Sequence, residues 1–230
     1  ARRQTIDNLR RRSLILLACV LYHPTQAVYA TDPPVTAMAL APDQREALVG
    51  SQQGLWRLSY PDLERQGNVA TKLVQIHAIA FSPDAKLLAI AGGTPGEVGI
   101  IELWCWPKLQ PIHSLPLHGD VIYTLAWNRN STWLVSGAHD GEILQIETAT
   151  GKILRRYNGH SEAVSALCLL EDDQTLVSTG HDQTLRVWET QTARLARSLH
   201  NHTKPVRGLA ARPQPPGSPT GLPRVASVGA

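Results

Sequence analysis

The sequence contains few cysteines, and none of them is spaced as in a metal or redox centre. Its 230 residues include Cys19, Cys105 and Cys168, with no CxxC pair, no CxxCH haem-attachment motif and no Cys and His pairs at zinc spacing. A GxSxG turn, which exposes a nucleophilic serine in many hydrolases, is also missing. We therefore expect no cofactor, no bound metal and no catalytic residue.

Apart from its first thirty residues, the chain also lacks an excess of basic residues. The formal net charge is +3, but those thirty residues hold five arginines against one acid, Asp7. The remainder has one more acid than base. Because nucleic-acid binding requires clustered Lys and Arg that displace counterions, this nearly neutral body predicts no nucleic-acid partner.

The N-terminus lacks an apolar run long enough to cross a membrane. Its run from Leu14 to Tyr22 has nine residues, too few for a helix to span the roughly 30 Å hydrocarbon core of a bilayer. The run follows Arg10-Arg11-Arg12 and precedes small residues suited to cleavage before Thr31, which is the order of a secretory signal.

This order predicts that residues 1–30 are a signal peptide or an N-terminal hydrophobic segment, and that the protein is bacterial and exported to the periplasm or the medium. We expect no stable membrane span after cleavage, or a membrane anchor if the segment is retained. An ordinary amphipathic helix over residues 1–30 is the alternative.

The body of the chain is repetitive. Short apolar triplets recur at offsets of 41, 46, 42 and 42 residues, beginning at Met38, Ile79, Leu125, Leu167 and Leu209. After each triplet come a turn, a short apolar strand, a second turn and further strand-like segments. Four short strands in a repeat of about 42 residues predict the antiparallel blade of an all-β propeller, in which each blade packs against its neighbours.

One repeat carries a recognisable set of polar residues. His160, Ser178, Asp182 and Trp188 follow one another at intervals of 18, 4 and 6 residues, and His202 begins the next repeat. This pattern resembles a unit of the WD-repeat (WD40) β-propeller family. The resemblance implies that the four residues form a buried, hydrogen-bonded structural tetrad.

The preceding repeat matches less completely. It contains His118, Ser136 and Asp140, each 42 residues earlier, but Ile146 replaces the tryptophan. We therefore expect only a partial tetrad there. In the repeat around Ile79, Trp104 keeps the tryptophan position while Val98 replaces the aspartate.

The resemblance covers roughly residues 35–211 and implies a partial WD40 propeller over residues 31–230. We expect about four complete four-stranded blades plus half of a fifth, because a Pro- and Gly-rich loop is inserted into the fifth unit and the sequence then ends just before the aspartate of that unit. The chain begins with Ala and ends within a repeat, which suggests a fragment of a longer protein that forms an open arc.

Residue types of a hydrolase triad occur among the tetrad residues, namely Ser178, Asp182 and His160. The resemblance implies that they are buried, so we predict a non-catalytic scaffold that mediates protein–protein interactions through unidentified partners. Two alternatives remain open: a sensor or binding domain of a larger exported enzyme or electron-transfer protein, and a propeller that holds a cofactor through convergent histidines.

In WD-repeat propellers, partners often contact one rim of the channel through the residue before the turn aspartate and through the start of the inner strand. Carried onto this sequence, the resemblance implies a partner-binding rim formed by His77, Tyr123, His139, Ser165, His181 and Arg207.

Overall fold

The computed structural model describes residues 34–170, 173–200, 202–211 and 225–229. The described residues form eighteen strands, which build four antiparallel four-stranded sheets and one two-stranded sheet. Within this part of the chain, no helix has the length and apolar character needed to cross a membrane. The predicted signal segment, residues 1–30, lies outside the described residues.

Each sheet is one blade, and its strands pair in chain order. Blade 1 contains β1 (Val35–Leu40), β2 (Glu46–Ser51), β3 (Gly54–Ser59) and β4 (Arg65–Val69). Blade 2 contains β5 (Gln75–Phe81), β6 (Leu87–Thr94), β7 (Val98–Cys105) and β8 (Gln110–His118).

The later blades repeat this order. Blade 3 contains β9 (Ile122–Trp127), β10 (Trp133–Ala138), β11 (Ile143–Glu147) and β12 (Ile153–Tyr157). Blade 4 contains β13 (Val164–Leu169), β14 (Thr175–Gly180), β15 (Leu185–Glu189) and β16 (Arg194–Leu199). The partial blade 5 contains β17 (Val206–Ala211) and β18 (Val225–Gly229). The all-β arrangement of about four blades and part of a fifth is therefore confirmed.

The turns between the first two strands of the complete blades share one backbone feature. Gln44, Ala85, Ser131 and Asp173 have φ values of 59°, 59°, 60° and 53°, in the left-handed region. These residues follow one another at nearly the spacing of the apolar triplets. The repeat in the sequence is therefore also a repeat of backbone conformation.

The core lies in the seams between blades. Side chains alternate along a strand, so in β6 Leu88 and Ile90 pack toward blade 1, while Ala89 and Ala91 pack toward blade 3. All four side chains are fully buried. No blade could bury both of its faces alone, which explains why the repeats must stack.

The innermost strands β1, β5, β9, β13 and β17 lie beside one another in chain order. Each of them has a β-bulge at the same place in the repeat. Bulges redirect a side chain out of the regular alternation. The residues at the bulges are Thr36, His77, Tyr123, Ser165 and Arg207.

Candidate functional site

The four tetrad residues of blade 4 form a continuous chain of hydrogen bonds. Trp188 Nε1 donates to Ser178 Oγ over 2.8 Å. Ser178 Oγ lies 2.7 Å from His160 Nε2, and His160 Nδ1 lies 2.8 Å from Asp182 Oδ2. Because a carboxylate only accepts, neutral His160 donates from Nδ1 and accepts the Ser178 hydroxyl hydrogen at Nε2. Every donor in the chain is thus matched to an acceptor.

The ionisation of the pair agrees with this direction. Burial lowers the pKa of His160 and outweighs the opposite influence of Asp182, which favours the neutral ring. Burial acts to raise the pKa of Asp182, but His160 and Thr184 together outweigh it and leave the pKa below its ordinary value. We therefore describe a neutral histidine that donates to a charged aspartate.

The same geometry argues against hydrolytic chemistry at Ser178, His160 and Asp182, which have the residue types of a hydrolase triad. Ser178 is fully buried, and its oxygen accepts the hydrogen bond from Trp188. A nucleophilic serine needs access to substrate and a neighbouring oxyanion hole. The hydroxyl of Ser178 therefore stabilises the blade and cannot reach a substrate.

Blade 3 contains the shorter form of this chain. His118 Nε2 lies 2.8 Å from Ser136 Oγ, and His118 Nδ1 lies 3.1 Å from Asp140 Oδ2. Asp140 also accepts from the backbone N–H groups of Gly119 and Glu142. The fully buried side chain of Ile146 occupies the position of the indole, so Ser136 has no tryptophan donor.

His118, Asp140 and Glu142 also form a group of potential metal ligands, with one ligand atom of each within 4.8 Å of the others. Both ring nitrogens of His118 are engaged, however, by Asp140 and Ser136. Glu142 forms an ion pair of 2.7 Å with Arg156. A metal ion would have to displace these interactions, so we assign the group a structural role.

Blade 2 contains a polar network that the sequence analysis missed. Glu102 is 3% exposed, and its carboxylate accepts from Trp104 Nε1 over 3.2 Å, from the Thr71 hydroxyl over 2.8 Å and from the Lys72 backbone N–H over 3.0 Å. This carboxylate takes the place of the serine as acceptor for the indole. An acid two residues before a tryptophan, in an otherwise apolar strand, was the available signal.

A histidine and a serine also pair in the partial blade 5. His202 Nε2 lies 2.8 Å from Ser227 Oγ. The pair repeats the histidine–serine contact of blades 3 and 4.

Three of the six predicted rim residues lie side by side. The rings of His77 and Tyr123 have centroids 5.3 Å apart, and those of Tyr123 and His139 are 5.9 Å apart, both in edge-to-face geometry. His139 Nδ1 lies 2.9 Å from Asp120 Oδ2, and the His139 side chain is 52% exposed. We call His77, Tyr123 and His139 the ring row.

The bulged residue Ser165 lies in a different environment from His77 and Tyr123. Its hydroxyl donates to the backbone carbonyl of Val206 on the next blade and lies 3.2 Å from the Thr179 carbonyl. Thr36 in blade 1 bonds in the same way to the carbonyl of Ile76. At these two positions the bulged hydroxyl joins neighbouring blades and is already engaged.

The remaining predicted rim residues are His181 and Arg207. His181 occupies the same turn position as His139, and its backbone N–H donates to Ala163, as that of His139 does to Val121. Arg207 is exposed at the bulge of β17. The structure thus brings the ring row together and places His181 and Arg207 on later blades.

A comparison with protein-family models agrees with the observed repeat. Residues 109–145 and 151–189 match the WD40 model, described as "WD domain, G-beta repeat". These segments run from β8 through β11 and from β12 through β15. The chain therefore contains WD40 repeats.

Curated relatives match parts of the chain. It is 41% identical to Protein ROOT INITIATION DEFECTIVE 3 of Arabidopsis thaliana over 33% of this chain and 17% of that protein. It is 28% identical to the Periodic tryptophan protein 2 homolog of Neurospora crassa over 58% of this chain and 14% of that protein. It is 26% identical to a Schizosaccharomyces pombe protein named as a subunit of Chromatin assembly factor 1, over 49% of this chain and 26% of that protein. The chain thus spans only a small part of these relatives.

Solved structures show the same fold. The structure described as "Structure of U3-55K" superposes with a TM-score of 0.68 at 20% identity, covering 77% of this chain and 55% of that one. "Crystal structure of RRP9 WD40 repeats" superposes with a TM-score of 0.68 at 21% identity, covering 77% and 54%. The predicted WD40-type propeller fold is therefore confirmed.

These comparisons also correct one prediction. The named relatives come from a plant and two fungi, and one of them is named for chromatin assembly. The predicted bacterial, exported location, with its membrane-anchored variant, is therefore wrong. That prediction depended only on the order of charged and apolar residues in 1–30.

Proposed function

We propose that this WD40-repeat chain is a non-catalytic scaffold that binds partner proteins through one rim of its propeller. The observation that supports this most directly is the ring row, in which His77, Tyr123 and His139 lie beside one another across blades 2 and 3. Aromatic rings at a solvent-accessible rim are typical of protein-binding surfaces.

The surrounding blades make this rim a rigid support. Apolar side chains fill the seams on both sides of blade 2. A bulge then sets the direction of the His77 and Tyr123 side chains. Side chains positioned in this way lose little conformational entropy on binding, which favours docking.

The names of the relatives support the same class of function. The Chromatin assembly factor 1 relative and Actin-interacting protein 1-2 of Arabidopsis thaliana are both named for assembly or interaction with other molecules. The second is 28% identical over 49% of this chain. By this proposal the docking domain spans residues 31–230, residues 1–30 are an N-terminal hydrophobic segment, and nucleic acid is not the ligand.

The alternative of a sensor domain in an exported enzyme depended on export, which the relatives contradict. The histidines that could converge on a cofactor are His77, His139 and His181. His77 and His139 contact Tyr123 within the ring row, His139 is also bonded to Asp120, and His181 lies on the next blade. We therefore keep the scaffold as the single proposed function.

The test is protein capture from a eukaryotic cell extract on the immobilised full chain, with quantitative mass spectrometry. We expect the double variant His139→Ala and His181→Ala to retain about one fifth or less of the proteins captured by the wild type, because central ring contacts dominate binding. Its melting temperature should be unchanged.

A histidine-matched control is available away from the rim. His113 lies on the outer strand β8, and His200 is exposed after β16. Replacing both with Ala should leave capture at the wild-type level. Equal capture by the rim variant and the wild type, or equal loss in both variants, would contradict the proposal.

A further inference from the structure

We infer that the rim of blades 2 and 3 binds an arginine side chain of a partner protein, in a site formed by Asp120, Tyr123 and His139. This inference rests on the proposed docking function and assigns a ligand chemistry to it. It follows from the hydrogen-bonding groups that these residues leave available.

His139 offers an acceptor to solvent. Its Nδ1 lies 2.9 Å from Asp120 Oδ2, and a carboxylate can only accept, so Nδ1 carries the hydrogen. In the tautomer with the hydrogen on Nδ1, the ring has a lone pair at Nε2. Because the side chain is 52% exposed, this lone pair is open to a donor on a partner.

Asp120 contributes a charged carboxylate that is held in place. Its Oδ1 accepts from the backbone N–H groups of Gly96 over 2.9 Å and Val121 over 2.7 Å. Burial acts to raise its pKa, but these backbone donors and His139 outweigh it and leave the pKa below the ordinary value. The side chain keeps 20% of its exposure, so one edge of a fixed anion faces the rim.

Tyr123 stands between the other two rings of the row. Its hydroxyl has no hydrogen-bond partner among the residues that the structure describes, and the side chain is half-buried. Burial, with a smaller contribution from Asp120, raises the pKa of this phenol, which therefore stays protonated. The ring offers a flat apolar surface beside the acceptors of Asp120 and His139.

The charge around this site complements a cation. Glu97 is exposed in the β6–β7 turn, next to the Gly96 amide that binds Asp120. The neighbouring Glu142 is already paired with Arg156. An anionic ligand would meet the Asp120 carboxylate and unpaired acceptors, so a phosphate or an acidic segment is disfavoured.

Among cationic side chains, arginine fits this set best. Its planar guanidinium presents five N–H donors and stacks on aromatic rings, whereas the ammonium group of lysine is a compact, strongly hydrated point charge. The guanidinium can donate to His139 Nε2 while lying against Tyr123, and the Asp120 carboxylate bonded to Nδ1 makes this acceptor more negative. The site therefore predicts an arginine in a partner segment that crosses blades 2 and 3.

The probes are four acetylated and amidated pentapeptides, Gly-Gly-X-Gly-Gly, in which X is arginine, citrulline, lysine or glutamate. Binding to the isotope-labelled full chain is followed by NMR of the Tyr123 and His139 ring resonances. Citrulline has the shape of arginine without its charge. We expect the arginine peptide to bind about tenfold more tightly than the citrulline peptide, because charge-assisted hydrogen bonds are the stronger ones.

Variants of the full chain locate the site. Asp120→Asn and His139→Gln should each weaken arginine binding by about fivefold to tenfold. His139 is exposed, so its replacement tests the site even if Asp120→Asn impairs folding. Glu162→Gln is the matched control, because Glu162 is an exposed acid in the β12–β13 loop, outside the ring row. This variant should bind as the wild type does.

Three results would overturn the inference: no perturbation of the ring row by the arginine peptide, equal or tighter binding of citrulline or glutamate, or wild-type affinity in both site variants. Loss of arginine binding with rim-dependent protein capture intact would reject only the arginine assignment. Arginine binding together with unchanged capture by the His139 and His181 double variant would reject the proposed function instead.

Discussion

Blades 3 and 4 are built from the same repeat but end their hydrogen-bond chains differently. In blade 4 the chain runs from Trp188 through Ser178 and His160 to Asp182. In blade 3 Ile146 replaces the tryptophan, yet His118, Ser136 and Asp140 keep their contacts. The histidine–aspartate–serine part therefore forms without the indole, and the indole adds a donor and packing.

The aspartates of the two blades differ in their surroundings as well. The side chain of Asp182 is 4% exposed, and that of Asp140 is 19% exposed. Asp182 accepts from the Thr184 hydroxyl over 2.9 Å, whereas blade 3 has Glu142 at that position. The more deeply buried carboxylate thus has more side-chain partners, as its desolvation requires.

Among the variants that compare blades 3 and 4, Trp188→Ala should cause the largest loss in the free energy of unfolding. Trp188 is 1% exposed and packs edge-on against Tyr157 of blade 3, and its removal leaves a cavity and takes the donor from Ser178. We expect a loss of about 4 kcal/mol in the free energy of unfolding. Urea denaturation followed by far-UV circular dichroism measures it without relying on tryptophan fluorescence.

The blade 3 counterpart is Ile146→Val, which removes one methylene group from a fully buried side chain. It should cost about 1 kcal/mol. A loss from Trp188→Ala no larger than this would show that the indole does not anchor blade 4.

A smaller difference should separate Asp182→Asn from Asp140→Asn. We expect about 2 to 3 kcal/mol for Asp182, because hydrogen bonds to a buried charge are lost, and about 1 kcal/mol for the more exposed Asp140. The same denaturation experiment checks both variants. Equal losses would mean that burial does not distinguish the two aspartates.

The smallest expected effect is on pH dependence. The pKa of His160 lies below its ordinary 6.5 because of burial, so the unfolded chain binds a proton there more readily than the folded chain. The contribution of neutral His160 to the free energy of unfolding is therefore fully present above pH 6.5 and is lost as the pH falls below this value. Asp182, whose pKa lies below its ordinary 3.8, adds a further loss only at more acidic pH.

The measurement is the free energy of unfolding of His160→Gln and wild type between pH 7 and 5. The variant should lose less stability on acidification than the wild type. Asp62→Asn serves as the control, because Asp62 is an exposed turn residue away from the histidines of blades 3 and 4, and its slope should equal that of the wild type. If the free energy of unfolding of His160→Gln fell with pH as steeply as that of the wild type, the assignment of a neutral His160 would be contradicted.

Much of the fold and part of the candidate site could be predicted from the sequence. The repeat spacing placed every blade, because four short strands with turns occupy a nearly constant length of chain. His160 lies just before β13, Ser178 on β14, Asp182 in the β14–β15 turn and Trp188 on β15. Their contacts stay within one repeat, so the spacing along the sequence was enough to single them out. The prediction of the location was wrong because it depended on the pattern of residues 1–30 alone.

Contacts between blades could not be predicted in this way. Glu102 bonds to residues 30 and 31 positions earlier, and Ser165 bonds to a carbonyl 41 positions later. Neither partner belongs to a recognisable motif. Such contacts depend on how one blade is placed against the next, which no single repeat specifies.

The sequence by itself determined the blade period, the strand order and the polar chains of blades 3 and 4, since these depend on the spacing of residues along one repeat. Only the tertiary structure decided that His77, Tyr123 and His139 form a row while Ser165 joins two blades. The physical reason is that a bulge redirects His77, Tyr123 and Ser165, and the neighbouring blade then determines whether each side chain meets a ring, a carbonyl or solvent.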